Sequence, residues 1–84
     1  MEPFLGLIKL YPFGFAPEGW MLCNGATLQI GQYQALYSLL GITFGGNGST
    51  TFNLPNLTGT APVTNPLQPM AYYIASMGLY PVRS

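Results

Sequence analysis

The stretch APEGWMLCNG, residues 16–25, contains the only tryptophan and the only cysteine of the chain, Trp20 and Cys23. An aromatic ring close to a thiol is compatible with a reactive or ligand-binding site and equally with a packed plug beneath a turn. No cation stands beside Cys23 to stabilise a thiolate, so we expect a buried, inert thiol. A lone tryptophan between loop residues is more often core than a sugar-stacking surface, and we expect Trp20 to be buried too.

The chain lacks the residues that acid–base catalysis and metal binding require. The 84 residues include no histidine, and the only acids are Glu2 and Glu18. The hydroxyl side chains have no general base beside them, and one thiol without an imidazole does not make a zinc site. We therefore predict a protein that is not an enzyme, with no catalytic residues, no metal site and no cofactor.

The Gly-rich stretch GGNGST, residues 45–50, invites comparison with a phosphate-binding loop. It lacks the lysine of such loops and does not stand between a strand and a long helix. A flexible turn is the better interpretation.

Charge is scarce: 5% of the residues are charged and the net charge is zero. The two cations, Lys9 and Arg83, are far apart in the sequence, which disfavours nucleic acid as a partner because phosphate neutralisation needs clustered cations. The longest nearly apolar run, residues 70–82, is too short for a transmembrane helix. The N-terminus lacks the positive region of a signal peptide.

One helix is predicted, over about residues 32–40. Tyr33, Leu36, Tyr37 and Leu40 recur at the spacing of one helix face. Gly31 is an acceptable N-cap, and Gly41 suits the left-handed position just after the helix.

Short strands account for most of the remaining pattern. We predict a strand over residues 4–11, ended by Pro12, then a loop that buries Phe13 and Phe15, and a short apolar run over residues 20–23. Residues 56–69 read as an extended surface segment. The last block, from Met70, alternates with apolar groups on both faces, which an 84-residue chain could hardly cover alone.

These blocks together resemble the phage tail-collar domain family, which includes short tail-fibre proteins and the bacterial microcystin-dependent protein group. The resemblance runs through residues 2–59 and is carried by PEGWMLCNG, QALYSLLG, FGGNG and FNLPNL, in that order. The C-terminal IASMGLYPVR is similar to the last strand of bacterial members. The resemblance implies a single domain, residues 1–84, of α+β class, mainly β with one short helix and with terminal strands shared between subunits.

The chain departs from the family between these blocks. The long segment that usually precedes the last strand is missing, and Asn56, Thr58 and Thr60 stand where the family has an acid and arginines. If that segment carries the receptor-reading surface, this chain keeps the scaffold alone. The resemblance then implies a structural subunit of a phage-tail-derived fibre or extracellular filament, located in a virion tail or outside the cell.

The expected partner is the chain itself, as a homotrimer or as an open filament that grows by strand sharing. The residues expected at the assembly interface are Phe4, Leu5, Leu7, Ile8, Tyr72, Tyr73, Ile74, Met77, Leu79 and Tyr80. The residues expected to form a structural signature are Pro17, Gly19, Trp20, Cys23 and Gly25. The alternative is an adhesin or fibre tip that binds a cell-surface glycan or receptor through Trp20 and polar loops.

Overall fold

The computed structural model describes residues 3–14, 17–61 and 69–80, in which short β-strands predominate. The strands are β1 (Ile8–Pro12), β2 (Trp20–Leu22), β3 (Thr27–Gln29), β4 (Thr51–Asn53) and β5 (Met70–Ala75). The helical part is a 3-10 helix, Ile30–Gln32, followed by α1 (Gln34–Leu40). The predicted α+β class, mainly β with one short helix, is confirmed.

Helix α1 forms where its apolar spacing predicts, and its periodic face reaches the core. Leu36 is 1% exposed, and Tyr33, Tyr37 and Leu40 pack against the core around it. The helix ends at Gly41, which has a φ of 57° and whose N–H donates to the Tyr37 carbonyl over 2.7 Å. We predicted Gly31 as the N-cap, but the N-cap of α1 is Tyr33, because Gly31 lies within the preceding 3-10 helix.

The last strand, β5, lies in the middle of a three-stranded antiparallel sheet with the order β1-β5-β2. Consecutive side chains Tyr73, Ile74 and Ala75 are all buried, although they alternate between the two faces. The expectation that one chain could not cover this strand is therefore wrong. The strand also ends earlier than predicted, at Ala75, because the chain bends over residues 76–78.

One face of this sheet carries the core. Ile74 pairs with Ile8 on one side and with Met21 on the other, so these side chains point to the same face. The buried core cluster consists of Leu5, Cys23, Leu28, Leu36, Phe52, Leu54 and Ile74.

A second, two-stranded sheet was not anticipated from the sequence. β3 pairs antiparallel with β4, and Leu28 lies opposite Phe52 inside the core. The sequence predicted only a turn between Phe44 and Phe52, since strands of three residues contain too few alternations to reveal a period of two. Of the predicted extended segment, residues 62–68 lie outside the described residues.

The Gly-rich loop before β4 packs closely against the backbone of Thr51 and Phe52 at Gly46. Gly46 has a φ of 102°, and a Cβ at this position would overlap the Phe52 Cα and lie 2.6 Å from the Thr51 carbonyl oxygen. Both the conformation and the space therefore require glycine.

We expect Gly46→Ala to lower the free energy of unfolding by about 2 kcal/mol or more, because it adds a clash to a left-handed backbone. Gly31→Ala is the matched control, since a Cβ there meets nothing within 4 Å and the backbone has no positive φ. Urea denaturation of both variants measures the difference. Equal stabilities would contradict this account of the loop.

Candidate functional site

The two terminal segments of the described chain lie side by side. Phe4 forms an isolated parallel bridge with Leu79. The Leu5 N–H donates to the Leu79 carbonyl over 2.7 Å, and the Leu79 N–H donates to the Pro3 carbonyl over 2.9 Å. Residues near both ends of the sequence therefore form one surface.

Most of the predicted interface residues are exposed on this part of the molecule. Phe4 is 55% exposed and Met77 is 65% exposed. The other exposed members of the predicted set are Leu7, Ile8, Leu79 and Tyr80. Such large apolar side chains in water favour association when they are contiguous.

The remaining predicted interface residues hold the fold of the chain itself. Leu5 and Ile74 belong to the buried core cluster, Tyr73 is buried on the opposite face, and Tyr72 is partly buried against the core. The alternation of the β5 residues could not reveal this, because the strand is covered on both sides within the chain. As the sheet stands, Leu5, Tyr73 and Ile74 are not accessible to another subunit.

Two shallow grooves that share part of their walls connect Phe4, Leu7 and Met77 into a continuous surface, and Leu79 lies beside Phe4 through their isolated bridge. One is lined by Phe4 and Leu7 and the other by Met77, and both have Pro3, Glu18 and Trp20 in their walls. We call Phe4, Leu7, Met77 and Leu79, with the grooves between them, the terminal patch. Tyr80 lies beyond it against α1, where its hydroxyl is 2.7 Å from the Ser38 hydroxyl.

The expectation that Trp20 is buried in the core with Cys23 is wrong. Trp20 is half-buried on the other face of the sheet, where its ring meets Tyr11 edge to face at a centroid distance of 5.3 Å. Tyr11 makes a second edge-to-face contact, with Tyr73, at 6.1 Å. The three aromatic rings thus form a cluster outside the main core.

The spacing of Trp20 and Cys23 explains this correction. Residues three apart along a strand point to opposite faces, and the Cys23 N–H continues the β2 ladder by donating to the Tyr72 carbonyl over 3.0 Å. Cys23 therefore follows Met21 into the core, while Trp20 faces the other way. This signal was present in the sequence and was missed.

The other signature residues turn the chain around β2. Gly19 and Gly25 have φ values of 88° and 79°, and Pro17 is exposed. A Cβ on Gly25 would come within 3.3 Å of the Asn56 side chain, so the turn after β2 packs closely on the segment that follows β4.

Cys23 is 1% exposed, and burial raises the pKa of its thiol from 9.0 to about 11. It lines a cavity of about 140 Å³ with Leu57, Tyr72 and other apolar residues. A protonated thiol in these surroundings is a poor nucleophile and a poor metal ligand.

The Gly-rich loop is closed on itself. The Asn47 side-chain oxygen accepts the backbone N–H groups of Ser49, Thr50 and Thr51 at 2.8, 2.8 and 3.0 Å. The N–H groups that would hold a phosphate therefore already have an acceptor.

The loop after β1 was expected to bury Phe13 and Phe15. Phe13 is instead 55% exposed, and Phe15 lies outside the described residues.

Within residues 3–14, 17–61 and 69–80, no three His, Cys, Asp or Glu residues come close enough to hold a metal ion. The same residues include no helix that is both long and apolar enough to span a membrane. The described residues thus form a small mainly β fold with an apolar surface where its terminal segments meet.

The chain belongs to the phage tail collar domain family, which matches residues 6–62. This membership indicates a structural role in phage tail fibres and a location in the virion tail. No curated protein and no solved structure matches the chain.

The raised pKa of Cys23 predicts a loss of stability at high pH. The folded protein retains the thiol proton above pH 9, where the unfolded chain releases it, so the free energy of unfolding falls by up to about 1.4 kcal/mol per pH unit until the folded pKa near 11. Cys23→Ala removes this contribution. Parallel pH titrations of stability measure it, and identical slopes in the two proteins would contradict the assignment.

Proposed function

We propose that the chain is a self-assembling structural subunit of a phage-tail-derived fibre or extracellular filament, in which copies associate through the terminal patch and shared β-strands. The observation that supports this proposal is the exposure of four neighbouring apolar residues. Phe4, Leu7 and Met77 line adjoining grooves, and Leu79 bridges to Phe4. Self-association would remove these side chains from water.

The free energy gained by burying the terminal patch alone is similar in size to the free-energy cost of association. Full burial of a large apolar side chain contributes about 1.5–3 kcal/mol, so a half-exposed one gains about 1 kcal/mol on burial. Four such residues on each of two copies give about 8 kcal/mol, whereas association costs an estimated 4–15 kcal/mol. Stable assembly therefore calls for a further contact, and strand sharing supplies hydrogen bonds as well as area.

A neutral chain with few charges is suited to such packing. Four charged residues in 84 provide little like-charge repulsion between copies, and the two copies need not be oriented by long-range electrostatics. The same features serve a closed homotrimer and an open filament, which are the two assemblies that we propose.

We expect the double variant Phe4→Glu, Met77→Glu to weaken self-association strongly, because it places two charges where apolar surface would be buried. Ile42→Glu is the matched control, since Ile42 is 53% exposed but lines neither groove of the terminal patch. Light scattering and electron microscopy of the purified proteins measure particle size and shape. A wild-type chain that stays monomeric at micromolar concentration would refute the proposal.

The second candidate function is recognition of a cell-surface glycan or receptor. Trp20 is partly exposed, and together with Tyr11 it lines a groove of about 630 Å³ that also contains Lys9 and Glu18. Aromatic surface beside charged groups suits a sugar, whose apolar face stacks on a ring while its hydroxyls accept and donate hydrogen bonds.

If this groove binds a saccharide, Trp20→Ala should abolish binding on a glycan array. Phe13→Ala is the control, because Phe13 is an exposed aromatic residue that does not line this groove. Trp20→Ala should cost less than the 3–5 kcal/mol of a fully buried aromatic residue, so circular dichroism should show a folded variant. Saccharide binding that survives Trp20→Ala, or is absent from the wild type, would count against this function.

A further inference from the structure

Among the described residues, the outer edge of β1 is a sheet edge without a partner strand. Within the described residues, β1 pairs with β5 alone. The Phe13 N–H donates to the Pro69 carbonyl, and the Leu7 carbonyl accepts from the Ala75 N–H, so odd-numbered residues direct their backbone groups toward β5. In an antiparallel ladder the intervening residues then point outward. These are Ile8, Leu10 and Pro12.

This edge therefore offers two outward N–H groups, from Ile8 and Leu10, and three outward carbonyl groups. Pro12 contributes a carbonyl only, because proline has no N–H. Such an edge is a template for another strand, and the side chains along it decide which strand fits.

We propose that the strand which completes this edge is β1 of a second copy, paired antiparallel about a two-fold axis at Leu10. This inference rests on the proposed self-association in its open-filament form and names one of its contacts, since a closed trimer contains no two-fold contact. In this register Leu10 exchanges both hydrogen bonds with Leu10 of the second copy. The Ile8 N–H donates to the Pro12 carbonyl of that copy, and the symmetric bond forms at the other end.

Lys9 selects this register. Centring the pair on Lys9 would place two like charges directly opposite each other, which destabilises an antiparallel pair. Centring it on Leu10 places Lys9 opposite Tyr11 of the second copy, and a cation beside an aromatic ring is favourable. The exposed Ile8 side chain, 39% exposed, then packs against Pro12 of the other copy.

The second edge of the same sheet fits less well. β2 has three residues where β1 has five, and the Leu22 carbonyl already accepts the Asn24 N–H over 2.9 Å. A head-to-tail contact between β1 and β2 would therefore form fewer hydrogen bonds than a contact between two β1 strands.

Cysteine cross-linking tests the register directly. Directly opposite residues that exchange hydrogen bonds have Cα atoms about 5.5 Å apart, within the range of a disulfide. We expect Leu10→Cys to form a covalent dimer when diamide is added, as seen on a non-reducing gel. Ile8→Cys should form little, because the two copies of residue 8 would be four residues apart, at about 3.4 Å per residue.

The control is demanding because Ile8 is more exposed than Leu10, so random collision would favour cross-linking of Ile8→Cys. The native Cys23 stays in both variants, since it is 1% exposed. Cross-linking of Ile8→Cys as fast as that of Leu10→Cys would overturn the proposed register.

Leu10→Pro provides an independent measurement. It removes an outward N–H without removing a hydrogen bond to β5, and proline is tolerated on edge strands. We expect the dissociation constant for self-association, measured by analytical ultracentrifugation, to rise about tenfold or more. An associating wild type with no Leu10→Cys cross-link and an unchanged Leu10→Pro dissociation constant would overturn this inference alone, whereas a monomeric wild type would overturn the proposed function as well.

Discussion

The placement of β5 between β1 and β2 is the constraint on which the rest of the structure depends. It joins the first strand of the chain to the last, since Ile8 pairs with Ile74, and it places Ile74 at the centre of the core. Because this pairing is between residues distant in sequence, its closure entropy is offset only when the core forms with it. The terminal patch arises from the same pairing, which brings Phe4 next to Leu79.

The two faces of that sheet place the side chains of β1, β2 and β5 in two different environments. Cys23 and Met21 face the core, where apolar surroundings keep the thiol protonated, while Trp20, Tyr11 and Tyr73 cluster on the opposite face. The Tyr73 hydroxyl accepts the Gly14 N–H over 2.9 Å, so the loop after β1 is fixed to this outer cluster. The sequence stretch that suggested a single site thus belongs to two environments separated by a sheet.

Local sequence patterns predicted helix α1 well, but they did not predict which strands pair with each other. The helix followed from four apolar residues at helical spacing, and its end from Gly41. The β3–β4 pair was missed because three-residue strands carry almost no periodicity, and the cover over β5 was missed because apolar alternation does not say which strands lie beside it. Within the candidate site, apolar character selected Phe4 and Met77, which are exposed, together with Leu5 and Ile74, which are buried. Only the fold distinguishes the two pairs.

The two proposed self-contacts of the chain are the β1 edge and the terminal patch. A two-fold contact at β1 uses the same edge of both copies and closes on itself, so by itself it yields a dimer. The terminal patch adjoins β1, since Lys9 and Tyr11 line one of its grooves, but its apolar residues lie outside that strand. Burial of these residues against a further copy would continue the assembly from each dimer. If the operation at the patch closes, the product is a ring or a closed oligomer, and if it does not, the product is a filament. Because β5 is already paired along both edges, strand pairing between copies takes place at the β1 edge and leaves the central strand in place, and growth beyond the dimer depends on the terminal patch.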